Sequence, residues 1–512
     1  MSADPFNLAR HCIGRAVAAS PDKTALIIVS DAHRPEAAER WTYAALDRAV
    51  RSVAAGLLAE GLRPGDRILL RLPDSSDYAL LFFGAIAAGM VPIPISAQLT
   101  AAETQVLIMD SEAAAIARIG GLAIPALPTG CRVLDKSALN RLKSAEPLAA
   151  YAMTMADEPA YMIYTSGTTC RPKGVVHAHQ VALGRAPMYR DWMGLGADDT
   201  MLHAGAFNWS YTLGVGLLDP WACGATAVLY GGPKDIEVWP KLINAFDATL
   251  FAAVPSLFRQ MLKYCRLTPS SLPTLRHALA AGEPLSPALL AAWQHSTGKP
   301  IYEAFGMSEV STFVSNRPGM EIRPGSPGKP QTGRPVAVLP LDGGTHPVPV
   351  GQTGLLAVHR RDRGLMRGYW RRAEEEAQVF RDDWFIGGDL ASFDADGSLW
   401  YQGRADDIMN AGGYRVSPLE VEAALAPCPG IAEVAVAEHR VREDVSIIAA
   451  YVVTNEGAEV GQADILAFAA GRLADYKRPK QIFFVPSLPR GTNGKLLRRK
   501  LSGEVTALQT LP

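Results

Sequence analysis

At 512 residues the chain is too long for a single hydrophobic core, so we expect at least two domains. Hydrophobic residues make up 48% and charged residues 20%, as in an ordinary globular protein, and the formal net charge of −1 gives no reason to expect a nucleic acid as partner. The first residues lack the basic and apolar pattern of a secretion signal. The six cysteines are scattered without a Cys-x-x-Cys pair, which argues against a disulfide framework and favours the cytoplasm.

One uncharged stretch, Tyr78 to Ile95, has the 18 residues that can span a membrane. Gly84, Gly89, Pro92 and Pro94 interrupt it. Because proline and glycine break regular helix, the pattern instead predicts a buried helix ending near Gly89, followed by a short strand. We therefore expect no membrane span.

Helix and strand patterns alternate along most of the chain. The predicted strands are Thr24–Ser30, Arg67–Leu72, Val91–Ile95, Tyr161–Tyr164, Thr226–Tyr230, Thr249–Val254, Pro300–Ala304 and Leu355–His359. The predicted helices are one that begins after the N-cap Thr42, then Ser76–Ala88 and Val238–Phe246. Residues 315–350 are rich in proline and glycine and read as turns and short strands. This alternation predicts an α/β fold with parallel sheets covered by helices.

A compact unit is predicted after Asp406, where we place the domain boundary. It contains a helix beginning near Ser417, strands at Ile431–Ala437 and Val445–Val453, a helix at Gln462–Ala474 and a last strand at Ile482–Val485. The expected domains are residues 1–405 and 406–512.

Residues 161–174 contain a hydroxyl- and glycine-rich loop directly after a strand. Its hydroxyls and the amides near Gly167 can donate to phosphate oxygens, and Lys173 adds a positive charge. The Walker pattern is absent, because Lys173 lies between Pro172 and Gly174. Taken alone, the loop is also compatible with a polar surface turn.

Five further motifs follow the loop. They are Phe305-Gly306-Met307-Ser308-Glu309; Asp389 after Gly387-Gly388; Arg404 and Asp406 in Gly403-Arg404-Ala405-Asp406-Asp407; Gly412-Gly413-Tyr414-Arg415; and Lys495 in Thr492-Asn493-Gly494-Lys495. Glu309 has the oxygen ligands that Mg²⁺ prefers, Ser308 could reach a phosphate, and Phe305 could stack on a base. Each motif alone is also typical of an ordinary turn or surface charge.

In their order and spacing, the loop and the motifs resemble those of the adenylate-forming acyl-CoA synthetase superfamily over essentially the whole chain. The resemblance implies a large N-terminal domain, with helix-flanked sheets and a distorted β-barrel, and a small mobile C-terminal α+β domain. It also implies ATP, Mg²⁺ and coenzyme A as cofactors, and a small carboxylic acid as substrate.

The resemblance assigns roles to the matching residues. The β- and γ-phosphates of ATP would be held by Thr165, Ser166, Gly167, Thr168, Thr169 and Lys173. Mg²⁺ would be bound at Glu309 and Thr168, with Ser308 on the α-phosphate. Other nucleotide or coenzyme A contacts would come from Glu303, Ala304, Phe305, Asp389, Arg404, Gly413 and Arg415, with Gly413 near the pantetheine path. Asp406 would be the hinge, and Lys495 would bridge the acid and the α-phosphate during adenylation.

Cys170 departs from the pattern, because the family most often has glycine there. If that glycine has a positive φ, a cysteine would cost about 1–2 kcal/mol of strain. We expect a functional but altered loop.

The acid is predicted from the residues that resemble the family's substrate pocket: His203, Phe207, Trp209, Gly282 and Gly306. Members specific for acetate carry tryptophan at the position of Gly306, so a glycine should leave room for a larger acyl group. Aromatic walls without a fixed cation favour an uncharged tail. A medium-chain, alicyclic or simple aromatic acid fits, although these aromatic residues could also be ordinary core.

Two other functions stay open on sequence alone: an acyl-AMP ligase that loads a carrier protein, and a non-catalytic nucleotide-binding relative. The intact Lys173, Glu309, Asp389, Arg404 and Lys495 argue against the second. A homodimer is compatible with the sequence.

Overall fold

The structure is a computed structural model and describes residues 5–122, 125–166, 172–283, 285–404, 409–411, 414–416, 418–442, 445–455, 457–489, 496, 498 and 501. The statements below concern these residues.

The strands in chain order are β1 (Thr24–Val29), β2 (Glu39–Thr42), β3 (Arg67–Arg71), β4 (Val91–Pro94), β5 (Ala115–Arg118), β6 (Arg132–Leu134), β7 (Pro159–Ser166), β8 (Pro172–Ala178), β9 (Thr200–His203), β10 (Thr226–Tyr230), β11 (Leu250–Ala253), β12 (His277–Ala281), β13 (Ile301–Met307), β14 (Ser311–Ser315), β15 (Lys329–Pro330), β16 (Val336–Leu339), β17 (Gly354–His359), β18 (Gly368–Tyr369), β19 (Phe380–Arg381), β20 (Trp384–Phe393), β21 (Leu399–Arg404), β22 (Met409–Ala411), β23 (Tyr414–Val416), β24 (Ile431–Arg442), β25 (Val445–Thr454) and β26 (Gln481–Phe484).

The helices are α1 (Arg15–Ala19), α2 (Tyr43–Ala59), α3 (Ser76–Ala87), α4 (Ala101–Ser111), α5 (Lys136–Ser144), α6 (Val181–Met188), α7 (Ser210–Leu213), α8 (Asp219–Ala222), α9 (Val238–Ala245), α10 (Pro255–Tyr264), α11 (Pro287–Thr297), α12 (Ala373–Gln378), α13 (Pro418–Leu425) and α14 (Gln462–Ala470).

Six parallel strands form the centre of the largest sheet, in the order β13-β12-β11-β9-β10-β1. Antiparallel β2 closes one edge, and β14 and β15 close the other. Both faces are covered: Leu26 and Ile28 of β1 face one core, while Ile27 and Val29 face another. A parallel sheet buried on both faces reads as a continuous apolar run, which is the pattern of β1 in the sequence.

A second sheet, β4-β3-β5-β6, is parallel throughout, and α2 and α3 belong to the core between it and the large sheet. The two helices approach closely at Gly84, where a Cβ would lie 2.5 Å from Cγ1 of Val53. Glycine is therefore required there to let α2 and α3 pack. All of α3 is buried, and no described helix is long and apolar enough to cross a membrane.

An antiparallel sheet of β16, β17, β19, β20 and β21 completes the large domain, and β7 and β8 form a hairpin that pairs with β18. Beyond it, β24, β25 and β26 form a three-stranded sheet whose core includes residues of α13 and α14. The α/β class with a large N-terminal and a small C-terminal unit is confirmed.

The predicted helix start at Thr42 is confirmed, since its hydroxyl accepts a hydrogen bond from Ala45 N at 3.2 Å. Two predicted boundaries differ most from the structure. Helix α14 ends at Ala470, because Gly471, a weak helix former, follows, and a 3₁₀ turn then covers Asp475–Lys477. Strand β24 continues to Arg442, because its pairing with β25 extends through polar residues that carry no apolar pattern.

Candidate active site

A cavity of about 580 Å³ lies at the carboxyl ends of the central parallel strands, where ligands of α/β sheets usually bind. Gly282 follows β12, Phe305 and Gly306 lie within β13, and Trp209 lies in the segment after β9. The cavity also borders Asp389 on β20 and Tyr414 of the small domain. One continuous space therefore connects the predicted nucleotide residues, the predicted acyl residues and the C-terminal unit.

The predicted ribose residues face each other across neighbouring strands. Asp389 on β20 is the register partner of Arg404 on β21, whose side chain lies outside the described part. Asp389 is buried, and Tyr401 Oη donates to its Oδ1 at 3.3 Å. The Tyr401 ring lies 5.2 Å from that of Phe305, so a carboxylate and two aromatic faces converge on the cavity.

Glu303 lines the same cavity and is buried, and its Oε1 accepts a hydrogen bond from Leu285 N at 3.0 Å. Burial raises the pKa of Glu303 to about 8, so its carboxyl group is largely protonated at neutral pH. Ala304 and Phe305 also line the cavity, as predicted. Glu303 is therefore a neutral hydrogen-bonding group in the cavity wall.

The ends of the phosphate loop are held by the β7–β8 hairpin. Thr165 pairs with Lys173, and Ser166 with Pro172. The predicted residues between them, Gly167, Thr168 and Thr169, lie outside the described residues, as do Cys170 and Arg171. Thr165 and Pro172 line the cavity, so the loop begins and ends at its edge.

Lys173 and Glu309 are connected through Tyr369, a residue that the motifs did not reveal. Lys173 Nζ lies 5.3 Å from the centre of the Tyr369 ring and 4.0 Å from Glu375 Oε2. The hydroxyl of Tyr369 donates to Glu309 Oε1 at 3.0 Å. Lys173 and Glu309 are both buried. Tyr369 thus contacts both Lys173, at the end of the phosphate loop, and Glu309.

Ser308 lines the cavity, and its carbonyl oxygen accepts a hydrogen bond from Nε2 of His177 at 2.8 Å. Because a carbonyl can only accept, Nε2 carries the proton and Nδ1 is an acceptor. Burial lowers the pKa of His177 to about 4, so the ring is neutral at physiological pH. The turn that carries Ser308 and Glu309 is held from beneath by this imidazole.

Of the predicted acyl-pocket residues, Trp209, Gly282 and Gly306 line the cavity. The other two, His203 and Phe207, do not border it. His203 is buried, accepts a hydrogen bond from Gly205 N at 2.9 Å, and has its pKa lowered to about 3 by burial. Phe207 is fully buried against Tyr78, with ring centroids 5.1 Å apart. Both are core residues, because the segment that contains them turns inward before Trp209.

Gly306 was expected to leave room for a larger acyl group, but the structure shows a different need for glycine at this position. A Cβ there would lie 2.3 Å from the carbonyl oxygen of Ser311 and 2.5 Å from Cα of Thr312. Glycine is therefore required by the close pairing of β13 and β14 at a bulge, rather than by open space in the pocket. A larger residue would have to displace β14.

Residues of the small domain close the cavity on one side. The ring of Trp209 stacks on Tyr414 at 5.9 Å, and Tyr414 stacks on Tyr476 at 4.0 Å. Next to them, Lys477 Nζ lies 2.7 Å from Glu420 of the small domain and 3.5 Å from Glu103 on α4 of the large one. Burial opposes the charge of Lys477, but its interactions with Tyr476, Glu420 and Glu103 outweigh burial and raise its pKa. We call Trp209, Tyr414, Tyr476, Lys477, Glu420 and Glu103 the interdomain seam.

Three further predicted residues lie outside the described part: the hinge Asp406, Gly413 and the lysine Lys495. The backbone of Arg415 lies in β23, next to the cavity-lining Tyr414, but its side chain is not described.

Sequence reasoning missed Tyr369, Tyr401, His177 and three residues of the interdomain seam, namely Glu103, Tyr476 and Lys477. None lies in a motif of the expected type, and each acts through a contact across the fold. Lys477 follows an aromatic residue in Asp475-Tyr476-Lys477, a pattern that is also typical of ordinary surface charge.

Comparison with known proteins gives consistent matches along the chain. The model of the AMP-binding enzyme family matches residues 13–370, and that of the AMP-binding enzyme C-terminal domain matches residues 420–495. The 3-hydroxybenzoate–CoA ligase of Aromatoleum sp. (strain CIB) is 30% identical over 479 residues, covering 90% of this chain and 91% of that protein.

The mitochondrial acyl-coenzyme A synthetase ACSM3 of Mus musculus is 30% identical over 489 residues, covering 90% of this chain and 84% of that protein. The crystal structure of ATP-bound MatB from Rhodopseudomonas palustris matches with a TM-score of 0.72 at 26% identity, covering 98% of this chain and 100% of that one. The chain therefore belongs to the AMP-binding enzyme family, among the acyl-CoA synthetases and aryl-CoA ligases of the adenylate-forming superfamily.

Proposed function

We propose that the chain is an ATP-dependent carboxylic acid–CoA ligase. In the first half-reaction, a carboxylate oxygen of the acid attacks the α-phosphorus of ATP and pyrophosphate leaves. In the second, the sulfur of coenzyme A attacks the acyl carbon, the bond to AMP breaks, and the thioester forms. The observation that carries this proposal is the single cavity that joins Asp389, Trp209 and Tyr414, which would let one bound acid react with both co-substrates in turn.

The first half-reaction needs charge neutralisation and positioning rather than a base, because a carboxylate is already ionised at neutral pH. Asp389 would hold the ribose hydroxyls, and Tyr401 would fix its carboxylate through their hydrogen bond. Phe305, next to Tyr401, would pack against the base. Lys173 and the hydroxyls that begin at Thr165 would neutralise the departing pyrophosphate.

Mg²⁺ fits this site as an ion held mainly by phosphate oxygens and water. No group of three or more acidic, histidine or cysteine side chains that could hold a metal ion occurs among the described residues, so these residues offer no cage of their own there. Glu309, fixed by Tyr369, supplies the one carboxylate that such an ion commonly takes. When bound, the ion would supply neutralisation of phosphate charge. Thr168 counts among the expected Mg²⁺ ligands only because of the resemblance to the family.

The second half-reaction would use a different face of the small domain. We propose residues 406–512 as that domain, with Asp406 as its hinge, Lys495 acting in adenylation and Gly413 near the pantetheine. In the described arrangement, Tyr414 lies over Trp209, and Lys477 is paired across the seam. Because Tyr414 directly follows Gly413, we assign this arrangement to thioester formation, and adenylation would require the seam to open.

The acid would be a medium-chain, alicyclic or simple aromatic one. Trp209, Tyr211, Val215, Ala281 and Met307 supply apolar walls around the acyl end of the cavity. The names of the relatives, a hydroxybenzoate ligase and an acyl-coenzyme A synthetase, are compatible with this range.

The test is a screen for CoA-dependent AMP release over acids from acetate to dodecanoate, together with benzoates and cyclohexanecarboxylate. We expect AMP and a thioester in equal amounts with at least one larger acid, and little with acetate. If the adenylated acid forms a thioester only with a phosphopantetheinylated carrier protein, that carrier protein is the acceptor in place of coenzyme A. ATP–pyrophosphate exchange with none of these acids would overturn the proposal.

A further inference from the structure

Part of the cavity wall is polar rather than apolar. His177 on β8, Arg185 on α6, and Ser311 and Thr312 on β14 all line the cavity there; we call these four residues the polar floor. Helix α6 and strand β14 are joined through Arg334, whose Nη1 donates to Gly184 O at 2.6 Å and to Thr312 O at 3.4 Å. The polar floor is therefore a built part of the large domain and does not depend on the small one.

Two polar atoms of this floor have no hydrogen-bond partner among the described residues. They are Nδ1 of His177 and Oγ1 of Thr312, and both are buried. Because Nε2 of His177 donates to Ser308 O, Nδ1 is an acceptor. The hydroxyl of Thr312 can donate and accept. An acceptor and a group that can donate are the two kinds of partner that a hydroxyl group takes.

The floor carries no net charge that would attract a second carboxylate. Arg185 is held by Asp219 in a two-pronged pair, with Nε and Nη2 at 2.8 and 2.6 Å from the two carboxylate oxygens. Both residues are buried. A dicarboxylic acid would therefore bring an unpaired charge next to a neutralised cation, which is unfavourable in a buried site.

A pure hydrocarbon tail would leave Nδ1 of His177 and Oγ1 of Thr312 without partners, and buried polar atoms without partners are costly. We propose that the preferred acid carries a hydroxyl group on its tail, bound by His177 and Thr312. This inference rests on the proposed CoA-ligase function and makes its substrate class more specific. The hydroxyl would donate to Nδ1 of His177 and accept from Thr312.

The test uses acids that differ only in this hydroxyl: benzoate with 3- and 4-hydroxybenzoate, 3-phenylpropanoate with its 4-hydroxyphenyl analogue, and hexanoate with 6-hydroxyhexanoate. The measured quantity is the ratio of kcat/KM for the hydroxylated acid to that for its parent, from CoA-dependent AMP release. We expect the ratio to exceed one in at least one pair, and Thr312→Val to lower it about five-fold, the size of a typical hydrogen bond. Thr312→Ser should retain the ratio.

Thr212→Val is the matched control. Thr212 on α7 is also buried with an unpartnered hydroxyl, but it does not border the cavity, so its loss should leave the ratio unchanged. If every parent acid is preferred by the wild-type enzyme, or if Thr312→Val changes the ratio no more than Thr212→Val, the inference is wrong while the ligase function stands. If no acid in any pair supports AMP release, the proposed function fails first.

Discussion

Tyr369 shows how one side chain can organise the phosphate side of the cavity. Its ring lies beneath the ammonium group of Lys173, and its hydroxyl donates to Glu309. The expected Mg²⁺ ligand and the expected phosphate-binding lysine are thus positioned by the same residue. A structural change at Tyr369 should therefore appear as a change in nucleotide binding.

We predict that Tyr369→Phe raises the KM for MgATP about 10-fold, because Glu309 loses a hydrogen bond from a neutral donor to a charged acceptor. The KM for the acid should change little. ATP–pyrophosphate exchange at varied MgATP measures this. The control is Tyr151→Phe, which removes a comparable hydrogen bond, at 2.5 Å to Asp47, outside the cavity lining. Equal effects of the two variants on KM would contradict a positioning role for Tyr369.

Glu303 makes a pH-dependent contribution to stability. Its pKa rises from 4.5 to about 8 on folding because of burial, so the folded protein holds a proton that the unfolded chain releases. The free energy of unfolding should therefore fall relative to that of Glu303→Gln as the pH rises from about 5 to about 8. Chemical denaturation of both proteins at several pH values tests this. Parallel profiles would show that Glu303 is ionised in the folded state.

At this scale the sequence predicts best those residues whose chemistry is local to a motif. Asp389 after two glycines and Ser308 next to Glu309 were found in this way, and the structure places Asp389 and Ser308 on the cavity. The structure buries Phe207 and His203 away from the cavity, and a single sequence does not show at which residue a segment turns from core to pocket.

At the scale of elements, the interdomain seam is the feature with the clearest consequence. Helix α4 presents Glu103 to the small domain, where it accepts a hydrogen bond from Ala474 N at 3.3 Å and pairs with Lys477. These side chains are mostly buried, so the pair is less screened by solvent than a surface salt bridge. The seam should stabilise one arrangement of the domains over others.

We predict that Glu103→Gln slows thioester formation from supplied acyl-adenylate about three- to ten-fold, while adenylation is unaffected or faster. Glutamine can still accept from Thr100 N, so the cap of α4 should survive. Single-turnover assays of each half-reaction measure the two effects. Glu60→Gln, which alters the more exposed Glu60–Arg141 pair, is the control. A uniform loss in both half-reactions would argue against a role specific to one arrangement.

Helices and strands were mostly predictable because their apolar patterns are strong. Thr226–Tyr230 was predicted to the residue, and α3 within one residue. The interdomain seam was not predictable from the sequence, because Glu103 and Lys477 are 374 positions apart in the chain and only the fold brings them together.

At the scale of the whole molecule, the cavity lies where the carboxyl ends of the large sheet meet the small domain. The motif order identified the family and implied two half-reactions, whereas chain length and the compact unit after Asp406 had already predicted two domains. The arrangement of the domains could not be predicted, because residues on both sides of the seam contribute no local signal. The polar floor was also unexpected, since the aromatic residues of the segment before α7 indicated apolar walls only.

The central claim is that one active site performs two half-reactions with different faces of the small domain. Lys495→Ala tests it most directly, because this lysine should act only in adenylation. We predict that the variant loses ATP-dependent acyl-adenylate formation almost completely, but forms thioester from supplied acyl-adenylate and coenzyme A at close to the wild-type rate. Equal loss of both half-reactions in a correctly folded variant would contradict the account.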